Sequence, residues 1–120
     1  MININFRDPR PIYEQVRDGF IQLILSGALP AEYKMPSVRE LASQLTINPN
    51  TIQRAYRELE NDGYICTVPG RGSFVCSGDG AVQRRRAELL DEFRALVKKL
   101  RDAGISDDEL SAILKGGDNT

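Results

Sequence analysis

One stretch constrains this chain more than any other: PSVRELASQLTINPNTIQRAYR, residues 36–57. It carries the start signals of two short helices separated by a few residues. Ser37 followed by Glu40 is a capping box, in which each side chain bonds the other residue's backbone N–H. Behind it Val38, Leu41, Ala42 and Leu45 form one apolar stripe, leaving Arg39, Ser43 and Gln44 outward. Thr46-Ile47 is then the turn. Asn48 suits an N-cap, Pro49 suits the first helical position, and Ile47 is placed to staple onto Ile52. Caps of this kind contribute about 1 kcal/mol each, enough to fix where so short a helix begins. Two short helices joined by a tight turn predict a helix-turn-helix, whose second helix enters the major groove of DNA.

The second helix has two distinct sides. Ile52, Ala55, Tyr56 and Leu59 are apolar, while Asn50, Gln53, Arg54 and Arg57 recur on the opposite face. Arginine, asparagine and glutamine can make paired hydrogen bonds to guanine and adenine edges. The helix N-terminus, with N–H groups at Asn50 and Thr51 expected to be free, favours a phosphate. A polar stripe is by default a solvated face, and the formal charge of the chain is −1. Residues 34–57, however, hold four basic side chains against the single acid Glu40, so the positive charge is local.

Asp62-Gly63 ends that helix, with Gly63 suited to a left-handed cap. YICTVPGRGSFVC then reads as a β-hairpin: Tyr64, Ile65, Thr67 and Val68 on one arm, Ser73 to Cys76 on the other, and Pro69-Gly70-Arg71-Gly72 as the turn. Glycines around Arg71 let the turn approach another surface and present one positive charge. A hairpin directly after a helix-turn-helix is a wing, and a phosphate or minor-groove contact is expected of Arg71, the alternative being a solubilising loop residue.

The flanks are supporting structure. Pro9 and Pro11 keep the N-terminal segment extended. From Ile12 a helix buries Ile12, Val16, Phe20, Leu23 and Ile24, weakened by about 1 kcal/mol at Gly19 and ended at Ser26-Gly27. Residues 28–35 read as a connector. Ser77-Gly78-Asp79-Gly80 reads as a linker, after which Arg84-Arg85-Arg86 leads into a helix bearing Leu89, Leu90, Phe93, Leu96, Val97 and Leu100. Three cations at a helix start would oppose the helix dipole. Gly104 caps that helix, and Ser106 with Glu109 forms a second capping box before Leu110, Ile113 and Leu114. Some forty residues cannot bury so many apolar side chains alone. Packing onto the first domain is one solution; pairing two chains is the better one.

Other chemistries find little support. There is no histidine, which removes the commonest general base and metal ligand. Cys66 and Cys76 lack zinc-spaced partners, so neither metal nor cofactor is expected. They read as buried or half-buried strand thiols, with a redox-sensitive wing as the alternative. GRGS lacks the lysine and spacing of a phosphate-binding loop. No apolar run approaches a membrane span and the N-terminus lacks a signal-peptide core, so no membrane partner is expected and a reduced, cytoplasmic setting is.

The run MPSVRELASQLTINPNTIQRAYRELENDGY, with GRGSFV after it, resembles the DNA-binding domain of GntR-type bacterial transcription regulators over about residues 10–76. A short chain with a small helical tail resembles the YtrA-like subfamily. The resemblance implies DNA contacts from Arg39, Asn50, Thr51 and Gly70, and less firmly from Asn48, Gln53, Arg54 and Arg71. Ser37, Arg57 and Gly72 complete the candidate set. The sequence departs from the family pattern at Glu32 and Thr46, both standing where glycine is common, and β-branched Thr46 resists positive φ. The expected fold is mainly α with a β-hairpin wing: a winged helix-turn-helix domain at 1–78 and a two-helix dimerisation tail at 79–120. The expected function is a non-enzymatic regulator, by resemblance a repressor, binding a near-palindromic double-stranded operator as a homodimer. Any small-molecule effector would have to sit between the tail helices or between the two halves. The alternative is a winged-helix module that binds protein rather than DNA.

Overall fold

A computed structural model describes residues 2–76 and 80–116. Seven elements follow in order: α1 (Ile12–Leu25), α2 (Val38–Leu45), α3 (Pro49–Asn61), β1 (Ile65–Val68), β2 (Gly72–Val75), α4 (Gly80–Asp102) and α5 (Asp107–Leu114). The chain divides into two compact units, Met1–Gln83 and Arg84–Thr120. The boundary expected between residues 78 and 79, and most of the expected linker, lie outside the described residues.

The first unit closes a core of its own. Val16 and Phe20 from α1, Leu41 from α2, Ile52 and Leu59 from α3 and Ile65 from β1 are its largest fully buried side chains. Phe20 meets Tyr56 edge to face, with ring centroids 5.9 Å apart. The Tyr56 hydroxyl donates to the Pro36 carbonyl at 2.7 Å, which ties α3 to the entry of α2. Burial pushes the Tyr56 phenol well above its ordinary pKa, so it remains a neutral donor. The extended N-terminal segment is held by buried Gln15. Its Oε1 accepts from the Asn5 N–H at 2.9 Å, and its Nε2 donates to the Asn5 and Arg10 carbonyls at 3.0 and 3.2 Å. Gly19 has a packing reason to be there. A Cβ at this position would stand 2.9 Å from Ile2 Cδ1, so the absence of a side chain admits Ile2 to the core.

The connector is more ordered than its sequence predicts. Strands β1 and β2 pair antiparallel, with Ile65 opposite Val75 and Val68 opposite Gly72. On the other edge of β2, Lys34 bridges Phe74. The Glu32 N–H donates to the Val75 carbonyl, Val75 N–H to Tyr33, and Met35 N–H to Ser73, at 2.8, 2.9 and 2.8 Å. The connector therefore satisfies the outer edge of the wing. Glu32 enters this pairing at φ 70°, a left-handed conformation that favours glycine.

The second unit contains most of α4 together with α5. Helix α4 begins at Gly80, earlier than expected, so the arginine triplet stands inside the helix rather than at its start. There Arg85 pairs with Glu88 at 3.3 Å and Glu92 at 3.6 Å. Gly104 turns the chain at φ 91°, and Ser106 Oγ accepts from the Glu109 N–H at 3.2 Å, the serine half of the expected capping box. Arg101 spans the turn to Asp107, Nε to Oδ1, at 2.8 Å. Leu89, Leu90, Phe93, Leu96, Ile113 and Leu114 are exposed, while Val97, Leu100 and Leu110 are half-buried. Among the described residues, no helix is long and apolar enough to cross a membrane.

Candidate nucleic-acid interface

The interface is built on two capped helix starts. Ser37 Oγ accepts from the Glu40 N–H at 3.0 Å, and Glu40 Oε1 accepts from the Ser37 N–H at 2.9 Å. That backbone bond holds the Glu40 carboxyl below its ordinary pKa, so the box is intact at neutral pH. Helix α2 ends at Thr46, at φ 56° and ψ 49°. The Ile47 N–H then donates to the Ala42 carbonyl at 2.9 Å, so a β-branched residue makes the left-handed turn usually given to glycine.

At the start of α3, Asn48 Oδ1 accepts from the Asn50 N–H at 2.8 Å, and the Asn48 carbonyl accepts from the Thr51 N–H at 3.0 Å. These two N–H groups are thus not free for a phosphate, which corrects the expectation from sequence. The cap itself uses them. A contact here falls to side chains: Asn48 and Asn50 are exposed and Thr51 is half-buried. Further along α3, Gln53 and Arg57 are exposed, as is Arg39 on α2. The opposite face buries Ile52, Ala55, Tyr56 and Leu59, as the periodicity predicts.

Arg54 is placed differently from a free outward side chain. Its guanidinium carbon lies 3.8 Å from the centroid of the Tyr13 ring on α1, and its Nη2 donates to the Tyr13 hydroxyl at 3.2 Å. Its Nε stands 3.7 Å from Glu58 Oε2. Glu58 in turn takes a 2.6 Å bond from Arg17 Nη1, across to α1. Arg17 is held firmly in its charged form by bonds to Asp18 first and Glu58 next. Tyr13 and Arg17 stand four residues apart on α1, and Arg54 and Glu58 four apart on α3, so two helical pairs interlock. Sequence reading missed Tyr13, Arg17 and Glu58. The available signal was that Tyr13 and Arg17 lie at helical spacing just beside the buried face of α1.

The wing tip has the conformation its glycines permit. Gly70 adopts φ 77° and Gly72 φ 113°, both in the region that L side chains avoid. Nothing lies within 4 Å of a Cβ built on Gly70, so conformation and not crowding requires glycine there. Arg71 is exposed, and its N–H donates to the Val68 carbonyl at 2.9 Å. A Cβ on Gly72 would come 3.3 Å from Lys34 Cε. Lys34 therefore adds a cation beside the wing turn, a charge that the sequence counts without placing it there. The cysteines are also corrected. Cys66 and Cys76 are not separate thiols but form a disulfide, with Cα atoms 5.4 Å apart. Cys66 pairs with Phe74, so Cys76 falls two residues on, on the same face and within bridging distance. Among the described residues, no cluster of His, Cys, Asp and Glu could hold a metal ion.

Comparison with known proteins agrees with this architecture. The model of bacterial regulatory proteins of the gntR family matches residues 12–75, from the start of α1 to the end of β2. The HTH-type transcriptional repressor YtrA of Bacillus subtilis is 36% identical, over 98% of this chain and 97% of its own. The crystal structure of a transcriptional regulator from Oenococcus oeni superposes with a TM-score of 0.74 at 31% identity, covering 97% of this chain and 98% of that one. The DNA-binding domain of AraR in complex with operator ORR3 superposes with a TM-score of 0.53 at 28% identity, over 62% of this chain and 98% of that one. This chain belongs to the gntR family of bacterial regulatory proteins, as a short member similar to YtrA over nearly its whole length.

Proposed function

We propose that this DNA-binding transcription regulator occupies a near-palindromic operator as a homodimer and represses by that occupancy. One observation carries the reading. Helix α3 is fixed at its start by Asn48 and presents Asn50, Gln53 and Arg57 outward, beside a wing whose tip carries Arg71. An operator-bound structure of similar fold, that of AraR, supports DNA as the partner of this face. In the proposal α3 lies in the major groove, with Asn50, Gln53, Arg54 and Arg57 toward base edges. Ser37, Arg39, Asn48 and Thr51 hold the backbone, and the wing at Gly70, Arg71 and Gly72 reaches the backbone or minor groove.

The tail supplies the second copy. The exposed face of Leu89, Leu90, Phe93 and Leu96 on α4, with Ile113 and Leu114 on α5, is apolar beyond what a solvated helix needs. Val97, Leu100 and Leu110 extend it. A symmetric pair would set two recognition helices about 34 Å apart, one helical turn of DNA, or a multiple of it. Such a regulator works in the cytoplasm, and a small-molecule effector of this dimer would bind among the tail helices.

The test is selection from a random duplex library at moderate salt, followed by footprinting of the enriched site. The expected result is one enriched near-palindrome protected on both half-sites. Arg39→Ala should weaken binding to it by about 1–3 kcal/mol while leaving the melting temperature unchanged. Recovery of no enriched motif would favour a winged-helix module that binds protein, and protection of one asymmetric half-site would sink the dimer.

A further inference from the structure

We propose that Tyr13, on α1, is a positioning residue for DNA recognition: it holds the Arg54 guanidinium in a fixed pose at the edge of the reading face. The inference rests on the DNA-binding reading above and adds to it a residue from outside the helix-turn-helix. Arg54 belongs by periodicity to the outward stripe of α3, yet its guanidinium stacks on the Tyr13 ring at 3.8 Å and bonds the Tyr13 hydroxyl at 3.2 Å. More than half of the Arg54 side chain, 57%, remains exposed.

Stacking and recognition use different parts of a guanidinium. The ring takes its flat face, while its N–H donors point outward in the plane of the group, toward whatever lies beyond the ring. Of the five Arg54 donors, one on Nη2 goes to the Tyr13 hydroxyl and Nε faces Glu58, so the two on Nη1 and the second on Nη2 are those left for guanine or phosphate. A free arginine loses rotamer freedom on binding, and one already held on a ring loses less.

The charge arrangement points the same way. Glu58 is the acid nearest Arg54, at 3.7 Å, but its other oxygen takes the shorter 2.6 Å bond from Arg17. With Glu58 turned chiefly to Arg17, the Arg54 charge is steadied in place without being neutralised by a close ion pair. Tyr13 carries no charge that could do so. The four groups thus divide the work: Arg17 and Glu58 lock α1 to α3, and Tyr13 aims Arg54.

A purely structural role for Tyr13 would be to pack α1 on α3. The two roles separate in a double-mutant cycle read on DNA binding, with full-length Tyr13→Phe, Tyr13→Leu, Arg54→Ala and the Tyr13→Leu/Arg54→Ala double variant. The probe is a fluorescent duplex carrying the near-palindrome selected by the wild-type protein, with a scrambled duplex beside it, and thermal melting runs in parallel. Tyr13→Leu should weaken binding to the selected duplex about three- to fivefold, the scale of an exposed cation–π contact. It should weaken the scrambled duplex less, and Tyr13→Phe, which keeps the ring, should recover most of the loss. In the Arg54→Ala background Tyr13→Leu should cost nothing further. Multiplicative losses in the double variant would overturn the inference, as would an equal loss on both duplexes. So would a Tyr13→Leu loss of affinity that merely tracks a lowered melting temperature. Failure of the wild-type protein to distinguish the two duplexes would instead remove the DNA reading on which the inference stands.

Discussion

Phe20 and Phe93 are the same side chain on two amphipathic helices, and their surroundings are opposite. Phe20 on α1 is 0% exposed, packed edge to face on Tyr56 of α3, whereas Phe93 on α4 is 44% exposed. Their helices carry comparable apolar stripes in sequence. The first unit has five elements besides the start of α4 with which to close a core, and the second has one long helix and one of eight residues. A stripe is buried only when enough chain is present to cover it. The first unit thus closes a core of its own, whereas among the described residues the second leaves most of its apolar stripe exposed.

Matched truncations break or sharpen that comparison. Phe20→Ala should cost about 3–5 kcal/mol in urea unfolding, the range for emptying a fully buried aromatic site. Phe93→Ala should change the stability of the first unit by less than about 0.5 kcal/mol, the usual range for exposed positions. On the proposed dimer, sedimentation of that variant should nonetheless shift toward the monomer relative to the wild type at the same concentration. Equal destabilisation by the two substitutions at high dilution would show that the tail closes a core unaided.

How much of this was legible in the sequence follows the same division between local and distant causes. Ser37 with Glu40, and Asn48 with Pro49, are caps whose chemistry is complete within four residues, and the helices start where these residues put them. The hairpin could be read for the same reason, from Gly70 and Gly72 between β-prone arms. The Tyr13–Arg54 and Arg17–Glu58 contacts each join residues 41 apart, and no spacing rule within either helix encodes them. The strand-like course of residues 32–35 was hidden likewise, because ALPAEYKM has no alternation and acquires its pairing only from the β2 edge. The capped Asn50 and Thr51 N–H groups show a different limit. The N-cap was identified correctly, but the cap and a phosphate cannot both have the same donors.

The wing offers a second contrast with the tail, since a covalent link is added to the core anchors Ile65 and Val75. The Cys66–Cys76 bridge closes a loop of ten residues around Arg71. On the chain-entropy account a loop of that size contributes about 2–3 kcal/mol against unfolding. Cys66→Ser/Cys76→Ser, or reduction by a dithiol, should lower first-unit stability by about 2 kcal/mol, with the loss concentrated in the hairpin. Hydrogen exchange should locate it at the amides of positions 71 and 76, which bond the Val68 and Tyr64 carbonyls, while those of α5 keep their protection. Faster exchange spread evenly over both units would mean that the bridge supports more than the wing.

Thr46 is the smallest test, and it bears on the reading unit itself. A threonine at φ 56° places its branched Cβ against its own backbone, at a cost on the order of 1–2 kcal/mol. The turn persists because the fold on both sides determines it. Ile47 N–H is bonded to Ala42, and the caps on Ser37 and Asn48 fix the two helices that the turn must join. Glycine at this position would remove the clash and add backbone freedom to the unfolded chain, worth about 0.5–1 kcal/mol in the other direction. Thr46→Gly should therefore raise stability by less than about 1 kcal/mol. If the strain is stored only in the turn, affinity for the selected operator stays the same. If Thr46 sets the crossing of α2 and α3, and with it the pose of the reading stripe, affinity and base preference should shift while stability rises. Measuring both on one variant decides which of the two the threonine does.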